Sequence, residues 1–307
     1  MGCVGSRVDI ELADGRQFHL KKLIATGGFS QIYAGEDVES GEKVAVKRIV
    51  CYSTNEVQRT QREADFHIKF GSDSSFSNHI MPLIGVSESR LASTSAIQFS
   101  LVFPLCRIGS LQDELTSRKS CKDYISQDRI LQLFHQVCLA LEALHRAKPP
   151  IAHRDLKPAN LLFRDENCLL LTDFGSAIEC PVRIENGKQS RIMLDEAAEL
   201  CTMPYRAPEL FTCEAGTVVD EKVDIWSLGC VLYALSFFCS PFDEVHERGD
   251  SVALAVQSAK LKFDSEAKID ACITNFMSKL INWNPNERPG IQAVLQSIGS
   301  LKQNISF

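Results

Sequence analysis

The stretch IAHRDLKPANLLF, residues 151–163, decides the fold. It places Asp155 five positions before Asn160, and the apolar run ANLLF at its end reads as a short strand. A second run of this kind, CLLLTDF, leads to Asp173, thirteen positions after Asn160. The sequence thus sets two carboxylates and one amide beside two short strands.

Two carboxylates and an amide in this order have the chemistry that phosphoryl transfer to a hydroxyl requires. One carboxylate accepts the hydroxyl proton, and two oxygen ligands hold Mg²⁺ against the phosphates. We predict Asp155 as the base, and Asn160 and Asp173 as the metal ligands. Their order and spacing are those of protein kinases.

Further motifs stand in the matching order on either side. Upstream, VAVK ends in Lys47 on a predicted strand, where its ammonium can hold the phosphates of ATP. Glu63, in the helical stretch RTQREADFH, can pair with that lysine. Downstream, APE (207–209) closes the segment that begins at Asp173. Isolated groups of these types are usually solvated surface residues, but their common order excludes coincidence.

Over residues 18–298 the chain resembles a eukaryotic-type protein kinase. The resemblance implies an α+β, bilobal fold, with a small β-rich N-lobe, a larger α-helical C-lobe and ATP between them. It also implies that Asp224 bonds the catalytic-loop backbone, and that Glu209 and Arg288 form an ion pair. The predicted divisions are an acylated tail (1–17), the N-lobe (about 18–103), a hinge (about 104–107), the C-lobe (about 108–298) and a C-terminal tail (299–307).

The substrate class follows from the same resemblance. Lys157 and Thr202 occupy positions where serine/threonine kinases contact the catalytic aspartate and the transferring phosphate. We therefore predict protein Ser and Thr hydroxyls as acceptors. Ala159 and Ser110 stand where kinases that prefer basic substrates often carry acids, so we expect no requirement for an upstream arginine.

The stretch IATGGFSQIY, residues 24–33, reads as a kinase glycine loop, G-x-G-x-x-G-x-V, with two glycines replaced. Gly27 keeps the position nearest the phosphates, while Ala25 and Ser30 replace the first and third glycines. Such a loop is weak evidence alone, but beside the other motifs it predicts a working ATP clamp. The predicted ATP contacts are Ala25, Thr26, Gly27, Gly28, Ser30, Ile32, Ala45, Lys47, Glu63, Phe103 (as gatekeeper), Pro104, Cys106 and Leu162.

Several motifs indicate a narrower family within the protein kinases. They include GGFSxxY, QREADFH, HRDLKPAN, YRAPELF and DIWSLGCVLYAL. Together they resemble the Numb-associated kinase family, in the branch of the myristoylated and palmitoylated serine/threonine kinase. This resemblance implies a role in membrane trafficking or secretory-pathway signalling, at the Golgi or plasma membrane.

The first residues, MGCVGSR, fit the pattern M-G-x-x-x-S for myristoylation of Gly2. One myristoyl chain binds membranes only marginally, and a second acyl chain on Cys3 would stabilise the anchor. The alternative is a disordered tail that matches by chance. Residues 4–20 lack the apolar run of a secretory signal. We therefore expect a cytoplasmic protein attached peripherally to membranes.

Composition and charge argue against several other classes of protein. A net charge of −6, with Lys and Arg scattered along the chain, argues against nucleic acid as a partner. The 12 cysteines include no Cys-x-x-Cys pair, which favours reduced thiols over disulfides or zinc. The uncharged residues 225–242 could mimic a membrane span, but their Ser, Gly and Pro favour a buried core helix. The sequence leaves the oligomeric state open.

Two other classes of function stay open at this point. A membrane-tethered pseudokinase scaffold is suggested only by the two missing glycines. A small-molecule phosphotransferase would share the H-x-D-x-x-x-x-N motif, but such enzymes generally lack the APE segment and a lysine at the position of Lys157.

The segment before APE predicts a helix rather than a mobile loop. SRIMLDEAAELC, residues 190–201, offers Ser190 as a cap and a run of good helix formers. Its apolar residues can cluster on one side, and they are Ile192, Met193, Leu194, Ala197, Ala198 and Cys201. The alternative is a loop ordered by phosphorylation through Arg154. We predict activity without phosphorylation of this segment.

Overall fold

The computed structural model describes residues 9–28, 30–71, 78–91 and 94–305, with side chains up to residue 301. This part of the chain divides into two compact units, one ending at Arg107 and the other running from Ile108 onward together with residues 78–79. The first unit is rich in strands and the second in helices, so the predicted α+β class is confirmed.

The first unit is an antiparallel sheet with one helix. Its strands follow the order β1-β2-β3-β4-β6-β5, and the helix α1 contacts β4 and β6. The β-branched and aromatic residues along β4 and β6 are typical of strands in a partly buried sheet. The elements are β1 (Ile10–Glu11), β2 (Gln17–Thr26), β3 (Ser30–Asp37), β4 (Lys43–Cys51), α1 (Thr54–Gly71), β5 (Gly85–Arg90) and β6 (Ile97–Pro104).

Part of the predicted tail, residues 1–17, is folded against the sheet. Ile10 and Leu12 are buried in a core cluster with Phe18, and β1 pairs with β2. The chain turns at Gly15, which has a φ of +88°. The missed signal was the alternation of Ile10 and Leu12 before an Asp-Gly pair, which is a hairpin pattern.

The second unit is mainly helical. The helix α3 packs against α5 and α9, and Ser126 caps α3 by accepting from the Arg129 backbone, as the sequence predicts. The elements are α2 (Leu111–Cys121), α3 (Gln127–His145), β7 (Ile151–Ala152), β8 (Leu161–Asp165), β9 (Cys168–Leu171), β10 (Ile178–Glu179), β11 (Val182–Arg183), α4 (Gly187–Leu200), β12 (Val218–Val219), α5 (Lys222–Phe237), α6 (Asp243–Glu247), α7 (Val252–Ser258), α8 (Ala271–Leu280) and α9 (Ile291–Ile305).

The uncharged stretch forms the core helix α5, in which every residue from Val223 to Phe237 is buried. The helix ends before the predicted limit, because Phe238 adopts a left-handed conformation with φ +67°. The chain then returns so that Phe242 stacks on Trp226, with ring centroids 5.6 Å apart. No helix in the described ranges combines the length and apolar character needed to cross a bilayer.

The helix before APE is present as α4, but it begins earlier than predicted. Its cap is Asn186, whose side chain accepts from the Lys188 and Gln189 backbones, and not Ser190. Its buried side is also narrower than predicted, because Ile192 and Ala198 are exposed while Met193 and Ala197 are buried.

The predicted C-terminal tail, residues 299–307, also begins inside a helix. The helix α9 continues past residue 298 to Ile305, and Leu301 is buried. Its apolar side therefore extends beyond the predicted end of the domain.

Candidate active site

In the first unit, Lys47 and Glu63 form the ion pair that the sequence predicts. The Lys47 Nζ lies 2.6 Å from the Glu63 Oε1, and the Glu63 side chain is only 3% exposed. A buried carboxylate is costly unless it is paired. The strand β4 supplies Lys47 and the helix α1 supplies Glu63, so this contact ties the helix to the sheet.

Several predicted ATP contacts share one face of this sheet. Ile32 lies directly opposite Lys47, and Ala45 lies opposite Phe103. Ala45 and Lys47 are two positions apart on β4, so their side chains point the same way. Phe103 is buried, whereas Pro104 and Cys106 at the end of the unit are half-buried.

The glycine loop is a tight turn between β2 and β3. Ala25 pairs with Ile32 and Thr26 with Gln31, and the Gly27 N–H donates to the Ser30 carbonyl at 2.8 Å. A Cβ at Gly27 would lie 3.3 Å from the Ser30 Oγ, while one at Gly28 would meet nothing within 4 Å.

In the second unit, the catalytic loop is held by a buried carboxylate, Asp224, as the kinase resemblance implies. It accepts hydrogen bonds from the His153 N–H at 2.7 Å and the Arg154 N–H at 2.8 Å. His145, at the end of α3, donates its Nε2 proton at 3.0 Å. These contacts hold Arg154 at a φ of +65°, a strained conformation directly before Asp155.

The pKa of Asp224 lies below its usual value. Burial raises this pKa, but the hydrogen bond from His145 and the electrostatic interactions with His145 and His153 outweigh it. The carboxyl therefore stays ionised inside the protein.

The Asp155 carboxylate is surrounded by donors. Its Oδ1 accepts from the Thr202 N–H at 2.8 Å, and its Oδ2 lies 2.8 Å from the Lys157 Nζ. The Lys157 ammonium also donates to the Thr202 hydroxyl at 2.5 Å. The structure thus brings Asp155 and Lys157, from one motif, together with Thr202, which lies more than forty residues later.

Asn160 and Asp173 supply the oxygen ligands expected for Mg²⁺. The Asn160 Nδ2 donates to the Asp155 carbonyl at 2.9 Å and to its Oδ2 at 3.1 Å. Because the amide nitrogen must face these acceptors, the Asn160 Oδ1 is left to bind a metal. The Thr172 N–H donates to the Asn160 carbonyl at 3.0 Å, which anchors the chain beside Asp173. An amide oxygen and a carboxylate fit Mg²⁺, which takes its other ligands from water and phosphate.

The remaining predicted site residues are Leu162, Gly2 and Cys3. Leu162 is in β8 of the second unit, opposite Leu170, whereas the other predicted ATP contacts belong to the first unit. Gly2 and Cys3, the predicted lipidation sites, lie outside the described residues.

The predicted brace between Glu209 and Arg288 is present. The two Arg288 terminal nitrogens lie 2.6 and 2.8 Å from the two Glu209 oxygens, a bidentate pair. The Arg288 guanidinium also lies over the Trp226 ring, 5.3 Å from its centroid. Such buried pairs are strongly destabilising to break, so this pair supports the site without taking part in chemistry.

Sequence reasoning missed two residues of the site. His145 contacts Asp224 from α3, and its only signal was a histidine at the end of a helix with a buried apolar side. Glu196 lies on α4, where its Oε2 is 3.4 Å from the Arg154 guanidinium. The sequence points to Arg154, but it does not show that Glu196 is its acidic partner.

The fold and these contacts define a protein kinase. The protein kinase domain family matches residues 18–298, and the chain belongs to this family. It is similar to serine/threonine-protein kinase 16 of Homo sapiens, with 36% identity over 300 residues, 98% of this chain and 95% of the relative. The Rattus norvegicus protein of the same name is also 36% identical, over 301 residues, with the same shares covered. Serine/threonine-protein kinase ppk13 of Schizosaccharomyces pombe is 30% identical over 322 residues, 94% of this chain and 92% of the relative.

These relatives confirm the predicted superfamily and enzyme class, so the chain is a serine/threonine protein kinase. Members of this family use ATP and Mg²⁺ in general. The narrower resemblance to the Numb-associated family stays a prediction.

The glycine turn allows a matched test. Gly27→Val is expected to raise the KM for ATP by about tenfold or more, ~1.4 kcal/mol of binding, because the new side chain crowds the turn at Ser30. Gly28→Val, where a Cβ meets open space, is the control and should change KM much less. Steady-state kinetics at varied ATP measure both. Equal KM values for Gly27→Val and the parent would contradict a phosphate-clamping role for this loop.

Proposed function

We propose that this kinase transfers the γ-phosphoryl group of ATP to protein Ser and Thr hydroxyls with Asp155 as the base, while acyl chains on Gly2 and Cys3 hold it on a cytoplasmic membrane face. The observation that carries the catalytic part is the orientation of the Asp155 carboxylate by Thr202, Lys157 and Asn160. A base can act only if it is held within hydrogen-bonding reach of its proton.

Each residue then has a distinct part. Asp155 orients the acceptor hydroxyl and takes its proton. Lys157, beside both Asp155 and Thr202, supplies positive charge where the transferred group gains negative charge. Asn160 and Asp173 would hold Mg²⁺, which neutralises charge on the phosphates when bound. In the first unit, Lys47, paired with Glu63, would hold the phosphates.

The acyl anchor rests on the sequence of the first residues. A single myristoyl chain gives marginal, reversible membrane binding, and a palmitoyl chain on the adjacent cysteine would make the attachment stable. Together with the resemblance to the myristoylated and palmitoylated branch, this supports residence on the Golgi or plasma membrane and a role in trafficking or secretory-pathway signalling.

The helix α4 supports activity without phosphorylation. Arg154, the residue that would bind an activating phosphate, has a side chain only 2% exposed, and it already contacts Glu196. Its Nε donates to the Ser176 carbonyl at 2.6 Å. The hydroxyls of Ser176 and Ser190 donate to the carbonyls of Leu200 and Cys213. These contacts hold the segment in place, and Arg154 already has an acidic partner in Glu196.

Catalysis can be tested by two substitutions. Asp155→Asn is expected to reduce turnover by ~10²–10⁴ while ATP binding remains, because the base acts on the hydroxyl. Asp173→Asn is expected to abolish Mg²⁺-dependent nucleotide binding as well. Phosphate transfer from radiolabelled ATP and titration with a fluorescent nucleotide measure the two effects.

Two outcomes of that experiment oppose the mechanism. Near-parental turnover of Asp155→Asn would refute the assigned base. Failure of the parent itself to autophosphorylate or label any protein with Mg-ATP would instead favour the pseudokinase scaffold.

Membrane attachment is tested by fractionating cells that express single variants. Gly2→Ala should move the protein to the soluble fraction, because the first acyl chain precedes the second. Cys3→Ser should leave weak binding that is lost on washing. Cys121→Ser, at an exposed cysteine, is the matched control and should stay on membranes. Gly2→Ala protein that remains on washed membranes would refute the anchor.

Regulation is tested by co-expression with a phosphatase. Once mass spectrometry shows Ser176, Ser190 and Thr202 to be unmodified, we expect the kinase to be active at once. Glu196→Gln should lower this activity by roughly three- to tenfold, in the range of a partly exposed charge contact. Asp195→Asn, on the exposed side of the same helix, should not.

The opposite pattern would defeat this account of α4. An unphosphorylated enzyme that is inactive, and that recovers only after phosphorylation of Ser190 or Thr202, would show that the segment is a switch.

A further inference from the structure

The start of the described chain lies on the side of the first sheet that faces away from Lys47. Ile10 and Leu12 form a buried cluster with Val46 of β4. Because side chains alternate along a strand, Val46 points away from its neighbour Lys47. We call the side of the sheet that carries Val46 the outer face.

Arg48 follows Val46 on the outer face, next to Asp9. Its Nη2 lies 3.5 Å from the Asp9 carbonyl oxygen, and its guanidinium lies 5.7 Å from the centroid of the Tyr33 ring. Its Nε is buried without a hydrogen-bond partner. Arg48 forms no ion pair with any residue that the structure describes. A partly buried charge of this kind calls for an anion from outside the first unit.

A cavity of about 420 Å³ lies beside Arg48. Gln31 is the cross-strand partner of Arg48, and Gln98 is the partner of Val50. Because Arg48 and Val50 are two positions apart on β4, these four lining residues share the outer face. Tyr52, which is 75% exposed, also lines the cavity. The guanidinium and amide groups can donate hydrogen bonds to phosphate oxygens.

The charged groups of the cavity favour an anion. Arg59 of α1 brings a second guanidinium to its lining, and Glu56 is its one carboxylate. That carboxylate already accepts hydrogen bonds from the Tyr52 and Ser53 backbones, at 2.7 and 2.9 Å. The glycine turn forms one edge of the cavity, but the ammonium of Lys47 lies on the other side of the sheet.

The proposed acyl chains would bring a membrane close to this face. Cys3 lies six residues before Asp9, and a chain of that length spans at most roughly 22 Å. Because Asp9 lies beside Arg48, the outer face is the part of the first unit nearest to such a membrane. It also carries an apolar group, because Leu23 is 42% exposed and pairs across the strands with Tyr33.

We propose that the outer face of the first unit lies on the membrane, where Arg48 binds the phosphate of an anionic phospholipid and Leu23 enters the head-group region. Charge-assisted hydrogen bonds suit an arginine and a phosphate, and apolar side chains add to binding at the interface. The inference rests on the proposed acyl anchor, which brings the face to the membrane. Bound in this way, the sheet keeps its other side, with Lys47, open to ATP.

The experiment measures the binding of the full-length, acylated protein to vesicles by co-sedimentation. One kind of vesicle is phosphatidylcholine alone, and the other is an equal mixture of phosphatidylcholine and phosphatidylserine. Arg48→Gln removes the charge, whereas Arg48→Lys keeps it. Leu23→Gln removes the apolar group. The KM for ATP is measured for each variant without vesicles.

Two control variants make the same replacements away from the outer face. Arg90 is an exposed arginine in β5, and through Ile97 it lies in line with Cys51, on the side of the sheet that carries Lys47. Arg90→Gln is therefore the control for Arg48→Gln. Leu254→Gln, at an exposed leucine of the second unit, is the control for Leu23→Gln.

We expect the parent to bind more tightly to vesicles that contain phosphatidylserine. Arg48→Gln should weaken that binding by about fivefold, the effect of one basic residue near an anionic surface, and should not change binding to phosphatidylcholine alone. Arg48→Lys should keep most of the difference between the vesicles. Leu23→Gln should weaken binding to both kinds, while the two controls and the KM for ATP should not change.

Equal binding of the parent to both kinds of vesicle, or equal losses for Arg48→Gln and Arg90→Gln, would overturn the proposal. A raised KM for ATP in Arg48→Gln would also overturn it, because the residue would then belong to the nucleotide site. Gly2→Ala separates this result from the proposed anchor. If Gly2→Ala binds as well as the parent, the anchor falls, whereas a specific loss for Arg48→Gln on phosphatidylserine would still support the outer face.

Discussion

The catalytic loop depends on one buried carboxylate. Asp224 lies in the first turn of α5 with no exposed surface, and it holds the backbone of His153 and Arg154 by two short hydrogen bonds. A buried ionised group must be fully paired, so this carboxylate dictates the path of the loop. Asp155 is the next residue, and its position follows from that path.

The helix α5, which carries Asp224, links the catalytic loop to other parts of the second unit. The helix is apolar on all sides and buried along its length, which is typical of the centre of a large core. Trp226 lies one turn into the helix, where Phe242 stacks on its ring and the Arg288 guanidinium lies 5.3 Å from the ring centroid. Arg288 in turn pairs with Glu209 at the end of the segment that carries α4. The catalytic loop and the segment that carries α4 are therefore anchored to the same helix.

The sequence predicts the chemical groups of the site better than the contacts that position them. Asp155 could be named because phosphoryl transfer demands a base at that place, and Lys157 and Thr202 because the chain resembles serine/threonine kinases. The structure brings these three residues into contact. His145 and Glu196 could not be named, because their roles depend on which distant residue each meets after folding. The ends of helices were also hard to predict. Both Asn186 and Ser190 are residue types that can cap a helix, and the structure shows that Asn186 caps α4.

The glycine loop shows why two glycines could be lost. Ala25 lies in β2, paired with Ile32, and Ser30 begins β3. The non-glycine residues with positive φ in the described part of the chain include neither Ala25 nor Ser30. Both positions therefore need no conformation that favours glycine, and small side chains fit them. Gly27 has no positive φ either, but a Cβ there would lie 3.3 Å from the Ser30 Oγ, closer than most side chains approach. A glycine at this position therefore avoids crowding in the turn and leaves the backbone open to the close approach expected of a phosphate loop.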